Sequence, residues 1–278
     1  MSKKIIADTN IWHYLSKKNE RMLKILKASG ILCCSPINFF EIASAVNEVN
    51  FCDKKSAAKA VINYAEEYLP SNEIFLKQSW GFDCYDDIKW KHLYGELACA
   101  KNYEDFNNFI IKKFKVSPNE SWRNNLYCPF PEDIKKYINR IIPNYIKKID
   151  IGKTIPKIKD PAVLSKFNNE DFIDKIIIST WDRLKSNSKK ISDGVEDCTS
   201  KLRFNEAKPK ILCYAKALAE YLKYLLECGA KPEENDAGDL ECFLFLRDDN
   251  YILATADKRW VKIGKEACPG KILEINIV

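Results

Sequence analysis

The sequence predicts an α/β fold: three α/β/α layers around a central, mainly parallel sheet, with a large helical insertion. Three observations predict it. Short apolar runs alternate with helix-period segments at both ends of the chain. Two of those runs, KIIA and YILAT, lead directly into aspartates, Asp8 and Asp257. Between the ends, from about residue 80 to 205, the pattern is mainly helical and broken by proline-containing stretches.

The elements follow in order. KIIA predicts a first strand, and residues 11–29 predict a helix that Gly30 is suited to end. ILCCS, over 31–35, predicts a second strand, and Pro36 suits the opening of a helix whose apolar spacing runs over 37–49. A further helix is expected over about 54–69, stopping at Pro70, and a third strand over 74–76. Helices are then expected over 85–101, 103–115, 132–149 and 169–189, separated by stretches such as CPFPED and IGKTIPKIKDP. A long helix runs from about 208 to Cys228, before Gly229. Asn235 or Asp236 caps the next, which carries LECFLFL. YILAT and KILEI supply the last two strands. Strands alternating with helices at both ends imply one parallel sheet covered on both faces. Residues 1–78 and 208–278 would then form one core, with 79–207 a helical insertion.

The composition allows this. The chain has 278 residues, 46% of them hydrophobic and 30% charged, enough for one well-buried core. No apolar run is long enough to cross a bilayer, and the short apolar stretch after MSKK leads into IIADTN, so a cytoplasmic protein is expected. There are eleven cysteines, an odd number with no CxxC pair, and only two histidines, His13 and His92. Reduced, mostly buried thiols are expected, and no zinc-ligand cluster is visible. The net charge is +6, yet residues 111–160 alone carry +7, from twelve Lys/Arg against five Asp/Glu. A basic segment on a nearly neutral body suggests a polyanion partner such as RNA or DNA. The plainer alternative is a lysine-rich solvated helix face.

Four carboxylates carry the chemistry. Asp8 stands where a buried strand runs out, and Asp257 has the same placement. Ligands of open parallel sheets bind beyond these strand ends. Two carboxylates side by side there would repel unless one protonates or a cation lies between them. As alternatives, Asp8 could cap the next helix and Asp257 could be a turn residue. Glu41 lies in PINFFEIASAV, on a helix side with Ile37, Phe40, Ser44 and Ala45. An ionised glutamate there needs a partner, either a metal ion or a buried arginine. Asp236 and Asp239 sit in NDAGDLECFLFL near a helix start, where a capping role is the alternative. Asp236 fits that role better, and Asp239 fits the functional one.

Together IIADTN, SPINFFEIASA, NDAGDLECFLFL and YILATADKRW resemble the PIN-domain nuclease family, which includes toxin-type ribonucleases. The resemblance covers about residues 1–78 and 208–278, and the helical middle departs from the small members of the family. It implies that Asp8, Glu41, Asp239 and Asp257 form an acidic catalytic site holding one or two Mg2+ or Mn2+ ions, with Asp236 as an extra ligand. Asn10 and Thr255 would support the site. The implied activity is metal-dependent hydrolysis of phosphodiester bonds in RNA, with single-stranded RNA as substrate. A toxin or defence role would bring an antitoxin or other inhibitory protein partner, and a homodimer is left open. Lys258, Arg259 and the basic segment are candidates for phosphate contacts, and Trp80, Trp90, Trp122 and Tyr127 could stack on bases or pack in the core.

Two other readings remain. One is a catalytically silent PIN-like module that binds RNA or protein. The other is a haloacid-dehalogenase-type phosphatase, whose chemistry wants a second aspartate two residues after the first, where this chain has Asn10.

Overall fold

The computed structural model describes residues 2–79, 88–114, 132–145, 152–191, 204–233, 235–247 and 249–276. Its centre is a five-stranded, all-parallel sheet. The strands are β1 (Lys4–Ala7), β2 (Ile31–Cys34), β3 (Glu67–Tyr68), β4 (Tyr251–Thr255) and β5 (Ile272–Glu274), in the spatial order β3-β2-β1-β4-β5. The helices in chain order are α1 (Thr9–Ser16), α2 (Glu20–Ser29), α3 (Pro36–Ala43), α4 (Phe51–Tyr64), α5 (Asn72–Ser79), α6 (Trp90–Cys99), α7 (Tyr103–Phe114), α8 (Glu132–Ile141), α9 (Pro161–Leu164), α10 (Glu170–Ile191), α11 (Phe204–Cys228), α12 (Asp236–Glu241) and α13 (Lys258–Ala267). An arrangement in α/β/α layers is compatible with this strand order, because right-handed crossovers to either side of β1 put their helices on opposite faces.

β1 and β4 are the most enclosed strands. All five residues of β4 are buried, as are Ile5, Ile6 and Ala7 of β1. This is why both read as continuous apolar runs rather than alternating ones. The packing falls into two groups. α1 packs on α3 and α4, and α6 and α7 close over α3, where Phe39 meets Trp90 and Tyr94 edge-on at 5.6 and 5.2 Å. In the other group α11 packs on α10, on α13 and on the 3-10 turn Cys242–Arg247. The helices of residues 88–114 and 161–191 therefore lie against the core elements.

The structure departs from the sequence expectations in several places. The expected helix over 11–29 is two helices. Lys18 takes a left-handed φ of 59°, and the Asn19 side chain accepts the Met22 N–H at 3.0 Å to start α2. α3 ends at Ala43 rather than near 49, because Ala45 is also left-handed (φ 51°) and Asn50 donates to its carbonyl at 2.9 Å. The third strand is Glu67–Tyr68, whereas residues 74–76 belong to α5. Phe75 is the reason for the apolar signal there: it packs against Phe245 and Tyr251 at 4.7 and 5.2 Å. The segment LECFLFL begins in α12 and tightens into the 3-10 turn. Among the described residues no helix is long and apolar enough to cross a membrane, and Cys33, Cys34, Cys52, Cys99, Cys213, Cys228, Cys242 and Cys268 are free thiols.

Gly30, between α2 and β2, is needed for a close approach. A Cβ there would lie 2.1 Å from the Lys3 carbonyl oxygen, which accepts the Ile31 N–H at 2.8 Å beside the first rung of the β1–β2 pair. Gly30→Ala should destabilise the fold by about 1–3 kcal/mol, read as a lower urea midpoint at unchanged m-value. An unchanged midpoint would show that the two strands yield freely at this point.

Candidate active site at the switch point of the sheet

The strand order reverses at β1: β2 and β3 lie on one side of it, β4 and β5 on the other. Such a reversal opens a crevice beyond the carboxyl ends of the strands, here between β1 and β4. The register pairs Ala7 with Ala254, so Asp8 and Thr255 are the residues at the crevice. The Asp8 N–H donates to the Ala254 carbonyl at 3.0 Å. The Thr255 hydroxyl donates to Asp8 Oδ2 at 2.9 Å and accepts the Asp257 N–H at 3.1 Å. Both aspartates are helix caps as well. Asp8 Oδ1 accepts the Asn10 N–H at 3.3 Å at the start of α1, and Asp257 Oδ1 accepts the Arg259 N–H at 2.7 Å at the start of α13. The capping alternatives are thus real, and they aim two helix N-termini at one point.

Glu41 comes to this point on α3. The Asn38 side chain locks the start of that helix by accepting the Ser35 N–H at 2.8 Å. It also donates to the Ala7 carbonyl and to Thr9 Oγ1, both at 3.0 Å. Thr9 then donates its hydroxyl to Glu41 Oε2. The buried-arginine partner considered for Glu41 is not what the structure places there: the nearby cation is Lys54, whose ammonium donates to the Glu41 backbone carbonyl at 2.6 Å. Asp239 is brought in by α12, which packs against α3, and it is partly buried.

The four carboxylates are electrostatically linked. Burial, reinforced by Asp8, pushes the Glu41 carboxyl up to about 8, against the opposing Thr9 hydroxyl and Lys54 charge. Burial also raises Asp8, with Asp257 adding to the rise, while the Thr255 hydroxyl and the Asn10 N–H act to lower it. Asp239 is held well above the usual carboxylate range by burial and then by the charges of Asp8, Glu41 and Asp236, with Arg259 opposing. The four residues are neighbours that repel. Among the described residues no three His, Cys, Asp or Glu side chains are gathered at the spacing of ligands to one ion.

The remaining expected residues take varied places. Asp236 is fully buried and its carboxylate is engaged by three donors: the Tyr221 hydroxyl at 2.6 Å, the Glu233 N–H at 2.8 Å and the Arg259 guanidinium. Arg259 also lies 4.0 Å from Asp257 Oδ2. Asn10 is exposed and supports Asp8 through its backbone N–H, and Lys258 is exposed beside Asp257. Trp90 is a core residue, in edge contact with Phe39 and Phe40. Trp80, Trp122, Tyr127 and much of the 111–160 segment lie outside the described residues. Thr9, Asn38, Lys54 and Tyr221 are structural participants that sequence reasoning missed. Thr9 was within reach as the middle residue of DTN, and Asn38 as the residue one helical turn before Glu41. Lys54 and Tyr221 carry no local signal, since only the fold brings them to Glu41 and Asp236. Comparison of the chain with protein-family models, with curated proteins and with solved structures finds no match.

The raised Glu41 carboxyl links stability to pH. The folded chain holds this proton more tightly than the unfolded chain, whose carboxyl titrates near 4.5. The resulting stabilisation is complete below 4.5 and is lost as pH rises through about 8. In EDTA the melting temperature should therefore fall as pH rises across this window, and Glu41→Gln should flatten the slope. An identical slope in that variant would show that Glu41 is not the titrating group.

Proposed function

We propose that the chain is a PIN-type, divalent-metal-dependent ribonuclease. The observation that carries this reading is the convergence of four carboxylates, Asp8, Glu41, Asp239 and Asp257, from both ends of the chain onto the switch point of a parallel sheet. The three-layer PIN-like form of the fold belongs to the same proposal.

By its chemistry, though not by its spacing in this structure, the donor set suits a hard cation. It is all oxygen, with several carboxylates whose mutual repulsion a divalent ion would relieve, and such sites suit Mg2+ or Mn2+. Asp8, Asp239 and Asp257 would hold it, with Glu41 as a further ligand or as the residue that positions water. Bound there, the cation would lower the pKa of a water and stabilise charge developing on the phosphate. The chain's own groups do the rest. Thr9 donates to Glu41 Oε2 and so fixes the orientation of the carboxyl that would meet a bound cation or its water. Thr255 fixes the Asp8 carboxylate and the turn that carries Asp257. The N-terminal peptide dipoles of α1 and α13 favour anions at the same point. Lys258, exposed beside Asp257, would meet a phosphate of the substrate, and the 111–160 segment supplies the basic charge that single-stranded RNA would follow.

Asn10 offers the site a backbone N–H and no second carboxylate, which weighs against phosphatase chemistry of the haloacid-dehalogenase type. Asp236 serves better as an anchor than as an extra ligand, since its carboxylate already meets three donors. A toxin or defence effector of this kind would be held in check by an inhibitory protein partner. With Mg2+ or Mn2+, the wild-type chain should cleave single-stranded RNA, and Asp8→Asn should lower the rate on the order of a thousand-fold while keeping the fold. RNA binding without cleavage by the wild type would instead identify a silent binding module.

A further inference from the structure

Asp236 and Arg259 do not behave as an extra ligand and a free phosphate contact. Asp236 has no exposed surface, and Arg259 leaves only 20% of its side chain exposed. The guanidinium lies against Asp236 and 4.0 Å from Asp257 Oδ2, and its charge also acts on Asp239. It lies 4.9 Å from the centre of the Trp260 ring, which stacks on Tyr221 at 5.5 Å and 20°. The Tyr221 hydroxyl returns to Asp236 at 2.6 Å. A closed circuit thus joins α11, α12 and α13. Asp236 and Asp239 are one turn apart on α12, so holding the first holds the second. Asp257 is capped by the backbone N–H of Arg259 itself, at 2.7 Å.

We infer that Tyr221, Asp236 and Arg259 form a positioning chain for the acidic site, in which Arg259, anchored on Asp236, sets the spacing of Asp239 and Asp257 and hence the affinity for a divalent cation. The inference rests on the proposed function only in taking that site as one that binds a cation. A planar guanidinium can serve two carboxylates in a fixed geometry, which a lysine ammonium cannot. Residues that orient metal ligands in this way commonly account for about 10–100-fold in metal affinity.

The test uses the full chain freed of metal by EDTA and titrated with Mn2+, the free ion being read by electron paramagnetic resonance. Arg259→Lys should raise the Mn2+ Kd by about 10–100-fold. Tyr221→Phe, a milder change that keeps the ring stack, should raise it less and in the same direction, and it decides the matter should Arg259→Lys fail to fold. Binding of a single-stranded RNA oligonucleotide without divalent ions should keep its affinity and its salt dependence in both variants. Unchanged Mn2+ affinity in folded variants would overturn the inference. So would a salt slope reduced by about one charge in Arg259→Gln, which removes the cation that Arg259→Lys keeps, since that would make Arg259 a phosphate contact. The predicted Mn2+ pattern in a chain that cleaves neither RNA nor DNA would uphold the positioning chain and remove the nuclease reading alone.

Discussion

One hydroxyl ties the two ends of this chain together at the site. Thr255, the last residue of β4, donates to Asp8 just beyond β1 and accepts the N–H of Asp257, although Thr255 and Asp8 are 247 residues apart in sequence. The contact exists because β1 and β4 pair in parallel with Ala7 opposite Ala254, and because both strands are buried. Everything else at the site is placed relative to that pair. α1 and α13 start from its two aspartates, α3 brings Glu41 to Thr9, and α12 brings Asp239 alongside α3.

Hydrogen bonds of this kind orient carboxylates but do not neutralise them. A hydroxyl donating to a carboxylate nets about 1.5–3 kcal/mol, whereas two like charges 4 Å apart near a protein surface repel by roughly 4 kcal/mol. The hydroxyls of Thr9 and Thr255 lower the carboxyls they bond, Glu41 and Asp8, without cancelling the burial, and behind it the like charges, that raise Asp8, Glu41 and Asp239. Arg259 supplies one compensating charge, largely committed to Asp236. Such a cluster at a sheet switch point costs stability, and the proposed cation would relieve that cost.

Much of this was legible in the sequence, for physical reasons that also mark the boundary. β1, β2 and β4 were readable because parallel strands buried on both faces must be short apolar runs. β3 was not, because Glu67–Tyr68 is a two-residue edge strand with partly exposed side chains, while residues 74–76 nearby belong to a helix that packs Phe75 inward. The break between α1 and α2 lies in one left-handed lysine, a residue with no special turn propensity. Asp8, Glu41, Asp239 and Asp257 stood out because each is a carboxylate at a strand end or a buried helix face, where its cost is visible locally. The Tyr221–Asp236–Arg259 circuit stayed hidden, since its members are ordinary surface-type residues until three helices meet.

The proposed site requires the four carboxylates to bind a divalent cation jointly. Diffraction from crystals equilibrated with Mn2+, recorded at the manganese absorption edge, tests it most directly. An anomalous peak is expected among Asp8, Glu41, Asp239 and Asp257, and it should disappear in Asp8→Asn. Ordered carboxylates with no peak between them, or a peak elsewhere on the chain, would contradict the proposal.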